Sequence, residues 1–250
     1  MNRNRASILI VDDEVDTCRN LCDIFTDLGY QVEMAHEGVS ALEKVRARSY
    51  DVVLLDLMMP GMDGLALYQE IKQLRPEAVA ILATAYSNHP RAEQSLGVGV
   101  WRLVSKPVDI QKLLAIVDEA LSQPLVIVVD DDPELCLNLW DILREKNYRV
   151  SIAHDLKGVT DRLSNSVFQV ILIDMRLPDG DGSEVLQLVH ALPNPERTVL
   201  ITGHRVELAP SLENLMAAGA DAVCYKPFNL DELFATVQRL SEATNSPANQ

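Results

Sequence analysis

Val52-Val53-Leu54-Leu55-Asp56 closes four apolar residues with an acid, and Val170-Ile171-Leu172-Ile173-Asp174 does the same 118 residues later (174 − 56). A run with no polar side chain on either face belongs to a strand covered on both sides, the central strand of a parallel sheet. Ile8-Leu9-Ile10-Val11 leading into Asp12-Asp13 reads the same way, as does Val126-Ile127-Val128-Val129 leading into Asp130-Asp131. Further runs fall at 31–35, 79–83 and 103–104 in the first half and at 149–153, 198–201 and 222–225 in the second. Helix-period stretches separate them. Leu21, Ile24, Phe25 and Leu28 share a face before Gly29, which reads as a C-cap, and Pro133 suits the first turn of a helix over 133–145.

Five β-α units in each half predict an α/β chain of two doubly wound (βα)5 flavodoxin-like domains, each with a parallel sheet in the order 2-1-3-4-5. The first domain is read as 1–123 and the second as 124–250, with a disordered tail from about 245. Gln123-Pro124 forms the link, since Pro124 stops the preceding helix. So short a hinge predicts domains that touch, with each functional crevice on the side away from it.

A chain of 250 residues with 48% hydrophobic and 24% charged residues builds two cores without needing disulfides or structural metals. The net charge of −15 and the lack of any Lys/Arg cluster argue against nucleic acid as a partner. No apolar stretch approaches a membrane span or a signal-peptide core, so the expected location is cytoplasmic. Cys18 and Cys22 lie four apart on a predicted helix and cannot complete a zinc site; Cys136 repeats Cys18 (136 − 18 = 118) and suits a small buried position.

Polar residues recur at the ends of these strands. Asp12-Asp13, Asp56, Thr84 and Lys106-Pro107 return as Asp130-Asp131, Asp174, Thr202 and Lys226-Pro227, with offsets of 118 for the acids and threonines and 120 for the lysines (226 − 106). In a doubly wound sheet, side chains at the carboxyl ends of strands share one crevice. Three ionised carboxylates crowded together persist only around a cation. With oxygen ligands and neither His nor Cys at hand the cation is hard, and Mg²⁺ is the natural choice. A divalent ion, an ammonium and a hydroxyl around one carboxylate suit the formation of an aspartyl phosphate. Taken singly, an Asp-Asp pair is often a helix N-cap, a lone Thr a turn residue and a Lys-Pro a surface dipeptide; their joint recurrence favours the phosphoacceptor reading.

With Leu54-Leu55-Asp56-Leu57-Met58-Met59-Pro60-Gly61-Met62-Asp63-Gly64, Thr84-Ala85, Lys106-Pro107 and their second-copy equivalents, the chain resembles the bacterial two-component response-regulator receiver family from about residue 6 to 243. The resemblance implies that Asp56 and Asp174 accept phosphoryl from a histidine kinase or histidine phosphotransfer protein. It implies that Asp13 and Asp131 ligate Mg²⁺ directly, Asp12 and Asp130 through water, and the backbone carbonyls of Met58 and Arg176 alongside them. Thr84 and Thr202 would bind the phosphoryl group, Lys106 and Lys226 would pair with its oxygens, and each lysine would precede a cis proline. Only self-phosphorylation and autodephosphorylation are expected, not turnover of an external substrate. Pairing of two copies through the face of the fourth helix, fifth strand and fifth helix is a further implication.

The chain departs from the family's pattern in several places. Leu103 and Val223 stand where many receivers carry a switch aromatic, and Tyr225 shares the face of Val223 by strand alternation. Met58 and Tyr86 flank the first acceptor where Arg176 and His204 flank the second, which predicts a longer-lived phosphate on Asp56 unless Arg176 pairs with the phosphoryl group. Trp101 is either core packing or an interface anchor. His36, His89 and His154 read as solvated loop residues. The stretch after residue 243 in this sequence is too short for an output domain, so signalling is expected to run through protein contacts unless the chain is part of a larger hybrid kinase or regulator. The competing readings are an inert docking scaffold and a small-molecule phosphatase. The phosphatase would need a second acid where Met58 and Arg176 stand.

Overall fold

In the computed structural model the described residues are 6–85, 97–165, 167–178, 180–192, 197–203, 216, 219–227 and 229–244. The expectations for Tyr86, His89, His204 and the tail from 245 lie outside them. The chain divides into two compact units, Met1–Gln123 and Pro124–Gln250. Among the described residues no helix is long and apolar enough to cross a membrane.

The first unit runs β1 (Ser7–Val11), α1 (Val15–Asp27), β2 (Gln31–Ala35), α2 (Gly38–Ala47), β3 (Val52–Asp56), α3 (Gly64–Leu74), β4 (Val79–Thr84), β5 (Arg102–Ser105) and α4 (Ile110–Ser122). Its sheet is parallel throughout in the order β2-β1-β3-β4-β5. The second unit runs β6 (Leu125–Val129), α5 (Pro133–Glu145), β7 (Arg149–Ala153), α6 (Leu156–Asn165), β8 (Val170–Asp174), β9 (Arg176–Leu177), β10 (Gly180–Asp181), α7 (Gly182–His190), β11 (Arg197–Thr202), β12 (Ala222–Tyr225) and α8 (Leu230–Thr244). Its five-stranded sheet, β7-β6-β8-β11-β12, has the same 2-1-3-4-5 order.

Alternation along the buried strands divides each unit into two cores, one per face of the sheet. In the first unit Leu9, Val11, Val53, Leu55, Ala80 and Leu82 pack against α2 and α3 through Leu42, Val45, Leu67 and Ile71. Ile8, Ile10, Val52, Leu54, Val79 and Ile81 pack on the other face against Cys18, Leu21 and Phe25 of α1 and Leu113 and Val117 of α4. Both faces are covered, which is why these strands are apolar over 8–11, 52–55 and 79–83. Each fully buried aliphatic side chain contributes about 1.5–3 kcal/mol. Trp101 belongs to the second of these cores at 6% exposure, with the Arg102 guanidinium 5.1 Å above its ring, so core packing is the observed alternative. β9 and β10 form a two-residue antiparallel ladder, Leu177 opposite Gly180 and Arg176 opposite Asp181, which strand periodicity did not foretell.

Cys18 and Cys136 are fully buried thiols, with Sγ 3.4 Å from the backbone carbonyls of Asp12 and Asp130 respectively. Burial is the main cause pushing their pKa up, to about 11 for Cys18 and about 12 for Cys136. At pH 8 a pKa near 11 leaves only about one thiol in a thousand ionised. We expect iodoacetamide at pH 8 to spare both in the folded chain and to label all four free cysteines in denaturant, read by peptide mass. Fast native-state labelling of Cys18 or Cys136 would contradict the packing described.

Candidate functional site

Each crevice is built by strands that run out of apolar sequence at the same edge. The ladder continues one residue past each strand and so aligns the polar residues. Leu57 N–H donates to the Ala83 carbonyl at 2.8 Å and Lys106 N–H to the Thr84 carbonyl at 2.8 Å. Asp12 N–H reaches the Ala35 carbonyl at 3.3 Å. In the second unit Met175 N–H meets the Ile201 carbonyl at 3.0 Å and Lys226 N–H the Thr202 carbonyl at 2.7 Å.

All the acids and lysines read from the sequence converge. Lys106 Nζ lies 2.7 Å from Asp12 Oδ2 and 2.9 Å from Asp56 Oδ2. Lys226 Nζ lies 2.7 Å from Asp130 Oδ2 and 3.2 Å from Asp174 Oδ1. Asp12, Asp13 and Asp56 each bring a carboxylate oxygen within 4.8 Å of the others, and so do Asp130, Asp131 and Asp174. Asp12 and Asp56 are buried in the first crevice and Asp130 and Asp174 in the second, Thr84 and Thr202 are buried at the ends of β4 and β11, and Asp13 and Asp131 face solvent. The Lys106-Pro107 and Lys226-Pro227 bonds are both cis.

The electrostatics follow from this geometry. At an effective dielectric of about 20, a carboxylate pair no more than 4.8 Å apart repels by at least about 3.5 kcal/mol before solvent screening at the exposed acid. Burial alone works against the charge on Lys106 and Lys226. Hydrogen bonds to the two buried acids of each crevice, together with the charges of those acids, outweigh it and raise both pKa values. For Asp174, burial raises the pKa and the charge of Asp130 adds to it, against Lys226 and the Arg176 N–H.

Three carboxylates and one ammonium leave two negative charges at each crevice (−3 + 1 = −2) when all are ionised. The donors are all oxygen and one acid of each set is open to solvent. Such a crevice fits a hard divalent cation.

Three features escaped the sequence reading. His36 and His154 are exposed, as expected for loop residues, but each is anchored: Nδ1 lies 3.2 Å from the Asp12 carbonyl oxygen and 2.9 Å from that of Asp130. With the cysteine sulfurs, they tether the backbone of the first acid in each crevice. Their common offset of 118 (154 − 36) was the available signal.

The residue two after each acceptor holds it by backbone, with Met58 N–H 3.2 Å from Asp56 Oδ1 and Arg176 N–H 3.3 Å from Asp174 Oδ2. Both side chains point to solvent. Tyr225 is paired in register with Thr202, where the first unit pairs Ser105 with Thr84. An aromatic thus stands beside the second threonine alone.

Gly64 and Gly182 supply the third feature. A Cβ on Gly64 would collide with the Asp56 carbonyl oxygen, and one on Gly182 would lie 2.6 Å from that of Asp174. Only glycine lets the helix start press against the acceptor's own peptide.

A doubly wound (βα)5 unit with an acid-lysine crevice at its strand ends defines the receiver class. The response regulator receiver domain model matches residues 8–118 and again 126–238, and the chain belongs to that family. A response regulator receiver protein of Anaeromyxobacter sp. strain Fw109-5 is 31% identical over 233 residues, 93% of this chain and 94% of the relative. The transcriptional regulatory protein ZraR of Escherichia coli K12 is 38% identical over 122 residues, 49% of this chain and 28% of that protein. A CheY-like receiver domain structure from Methanospirillum hungatei JF-1 is 30% identical, covering 49% of this chain and 97% of that one, with a TM-score of 0.45.

The two glycines generate a prediction. Gly64→Ala and Gly182→Ala should each destabilise their own unit by about 1–3 kcal/mol, because the obstacle is backbone and cannot rotate away. Urea unfolding of the two variants, followed by far-UV circular dichroism, measures this, and unchanged midpoints would refute the contact.

Proposed function

We propose that the chain is a phosphoacceptor signalling protein of a two-component phosphorelay. In this reading Asp56 and Asp174 take phosphoryl from a histidine kinase or histidine phosphotransfer protein. The observation that carries it is the bridging lysine, held between a buried acid and the acceptor in both units.

In the proposed transfer, an acceptor carboxylate oxygen attacks phosphorus, the P–N bond to the donor histidine breaks, and the imidazole leaves with the electron pair. Asp12, Asp13, Asp56 and the Met58 carbonyl would hold Mg²⁺ in the first crevice. Asp130, Asp131, Asp174 and the Arg176 carbonyl would hold it in the second. The ion would offset charge on the phosphoryl oxygens. Lys106 and Lys226 would exchange their hold on the acceptor for the transferred group, and the Thr84 and Thr202 hydroxyls would donate to its remaining oxygens. The chemistry is confined to the chain's own phosphorylation and its reversal, with output through partner contacts, a second copy at the fifth-strand face among them.

Incubation with acetyl phosphate and Mg²⁺, read by intact mass, should add up to two phosphoryl groups. Asp56→Ala and Asp174→Ala should each remove one and the double variant both. No uptake by the wild-type chain, or uptake by the double variant, would overturn the proposal; a chain that takes up nothing is a docking scaffold.

Single-acceptor variants also separate the two lifetimes. The apolar Met58 should leave phosphate on Asp56 longer-lived than phosphate on Asp174, whose rim carries Arg176. Faster loss from Asp56 would reverse that assignment.

A further inference from the structure

Gly38 and Met62 belong to different elements of the first unit and touch. Gly38 opens α2 and is buried; Met62 lies in the loop from β3 to α3 and packs on the α2–α3 core. A Cβ built on Gly38 would lie 2.8 Å from Met62 Sδ, 2.9 Å from its Cβ and 3.1 Å from its Cγ. Rotation could move the sulfur, but no rotamer moves Cβ. Any side chain at 38 must therefore displace the loop backbone or the start of α2. That loop, 57–63, carries the Met58 N–H that binds Asp56. At its far end Gly64 presses on the Asp56 carbonyl.

The second unit matches the first here without a gap. β2 and β7 end at 35 and 153, α2 and α6 begin at 38 and 156, β3 and β8 end at 56 and 174, and α3 and α7 begin at 64 and 182, each pair 118 apart. At the two positions in question the bulk is exchanged. Gly38 becomes Leu156, which packs on the equivalent core, and Met62 becomes Gly180, a residue of the short β9–β10 ladder.

We propose that positions 38 and 62, and their equivalents 156 and 180, form a size-complementary pair that positions the acceptor loop. One partner must be glycine, and which one differs between the units. The pair acts through the loop rather than on the reacting atoms, so these are positioning residues. The inference rests on the crevice being a Mg²⁺-dependent phosphoacceptor site.

The test uses the full chain carrying Asp131→Ala and Asp174→Ala, so that Mg²⁺ calorimetry reports the first crevice, with thermal unfolding measured in parallel. Gly38→Leu should weaken Mg²⁺ binding about tenfold. Met62→Gly should weaken it roughly threefold, and the double variant, which has the second unit's own combination, should return to within about threefold of the parent. If Gly38→Leu does not fold, Gly38→Ala with and without Met62→Gly supplies the same cycle at smaller bulk.

A double variant no better than the product of the single effects overturns the pairing. Melting temperatures that fall and recover while Mg²⁺ affinity stays flat overturn the positioning role, leaving only packing. A parent chain that binds no Mg²⁺ defeats the reading of the crevice itself, and the positioning claim with it.

Discussion

The ammonium group held between two buried acids is the interaction on which each unit's chemistry depends. Lys106 meets Asp12 at 2.7 Å and Asp56 at 2.9 Å, and those acids arrive on β1 and β3 while the lysine arrives on β5. In the order β2-β1-β3-β4-β5, two strands separate β5 from β1. The long lysine stem reaches across that gap, and its charge offsets one of three carboxylates. Truncating it would leave the acids crowded and desolvated, a far greater cost than losing an exposed ion pair. The sheet must therefore be in register before the crevice can hold its charge.

That register comes from the apolar cores. Each central strand contributes alternate residues to two opposite cores, so sliding one strand by a single residue would exchange the faces of all its side chains. With both faces buried, the register is pinned by shape and by the ladder bonds that run on past Asp56 and Thr84. The acids stand where apolar sequence stops, at the one edge of the sheet where solvent can reach Asp13 and Asp131.

These two constraints explain what could be read from the sequence. Strand order and the convergence of Asp12, Asp56 and Lys106 were legible because apolar runs and strand ends are linear features, repeated in both halves. The hold of His36 on the Asp12 carbonyl was not, since a loop histidine looks the same whether its ring meets water or backbone. The β9–β10 ladder spans too few residues for any period to show. Gly64 stood in plain view within the motif, but its reason is a close approach to the Asp56 carbonyl that only coordinates reveal.

The two units solve one electrostatic problem with different surroundings. Both keep the acids, the threonine, the lysine, the carbonyl tether from Cys and His, and the glycine at the helix start. They differ around that shared frame: Ser105 against Tyr225 beside the threonine, Met58 against Arg176 at the rim, and Gly38 with Met62 against Leu156 with Gly180. Changes that altered the charge count would leave carboxylates unbalanced. Changes in bulk are tolerated where a neighbour gives way. An internal repeat therefore separates the two kinds of constraint within one chain: the charges of the buried acids and their lysine are held constant in place, whereas the bulk and the rim around them vary.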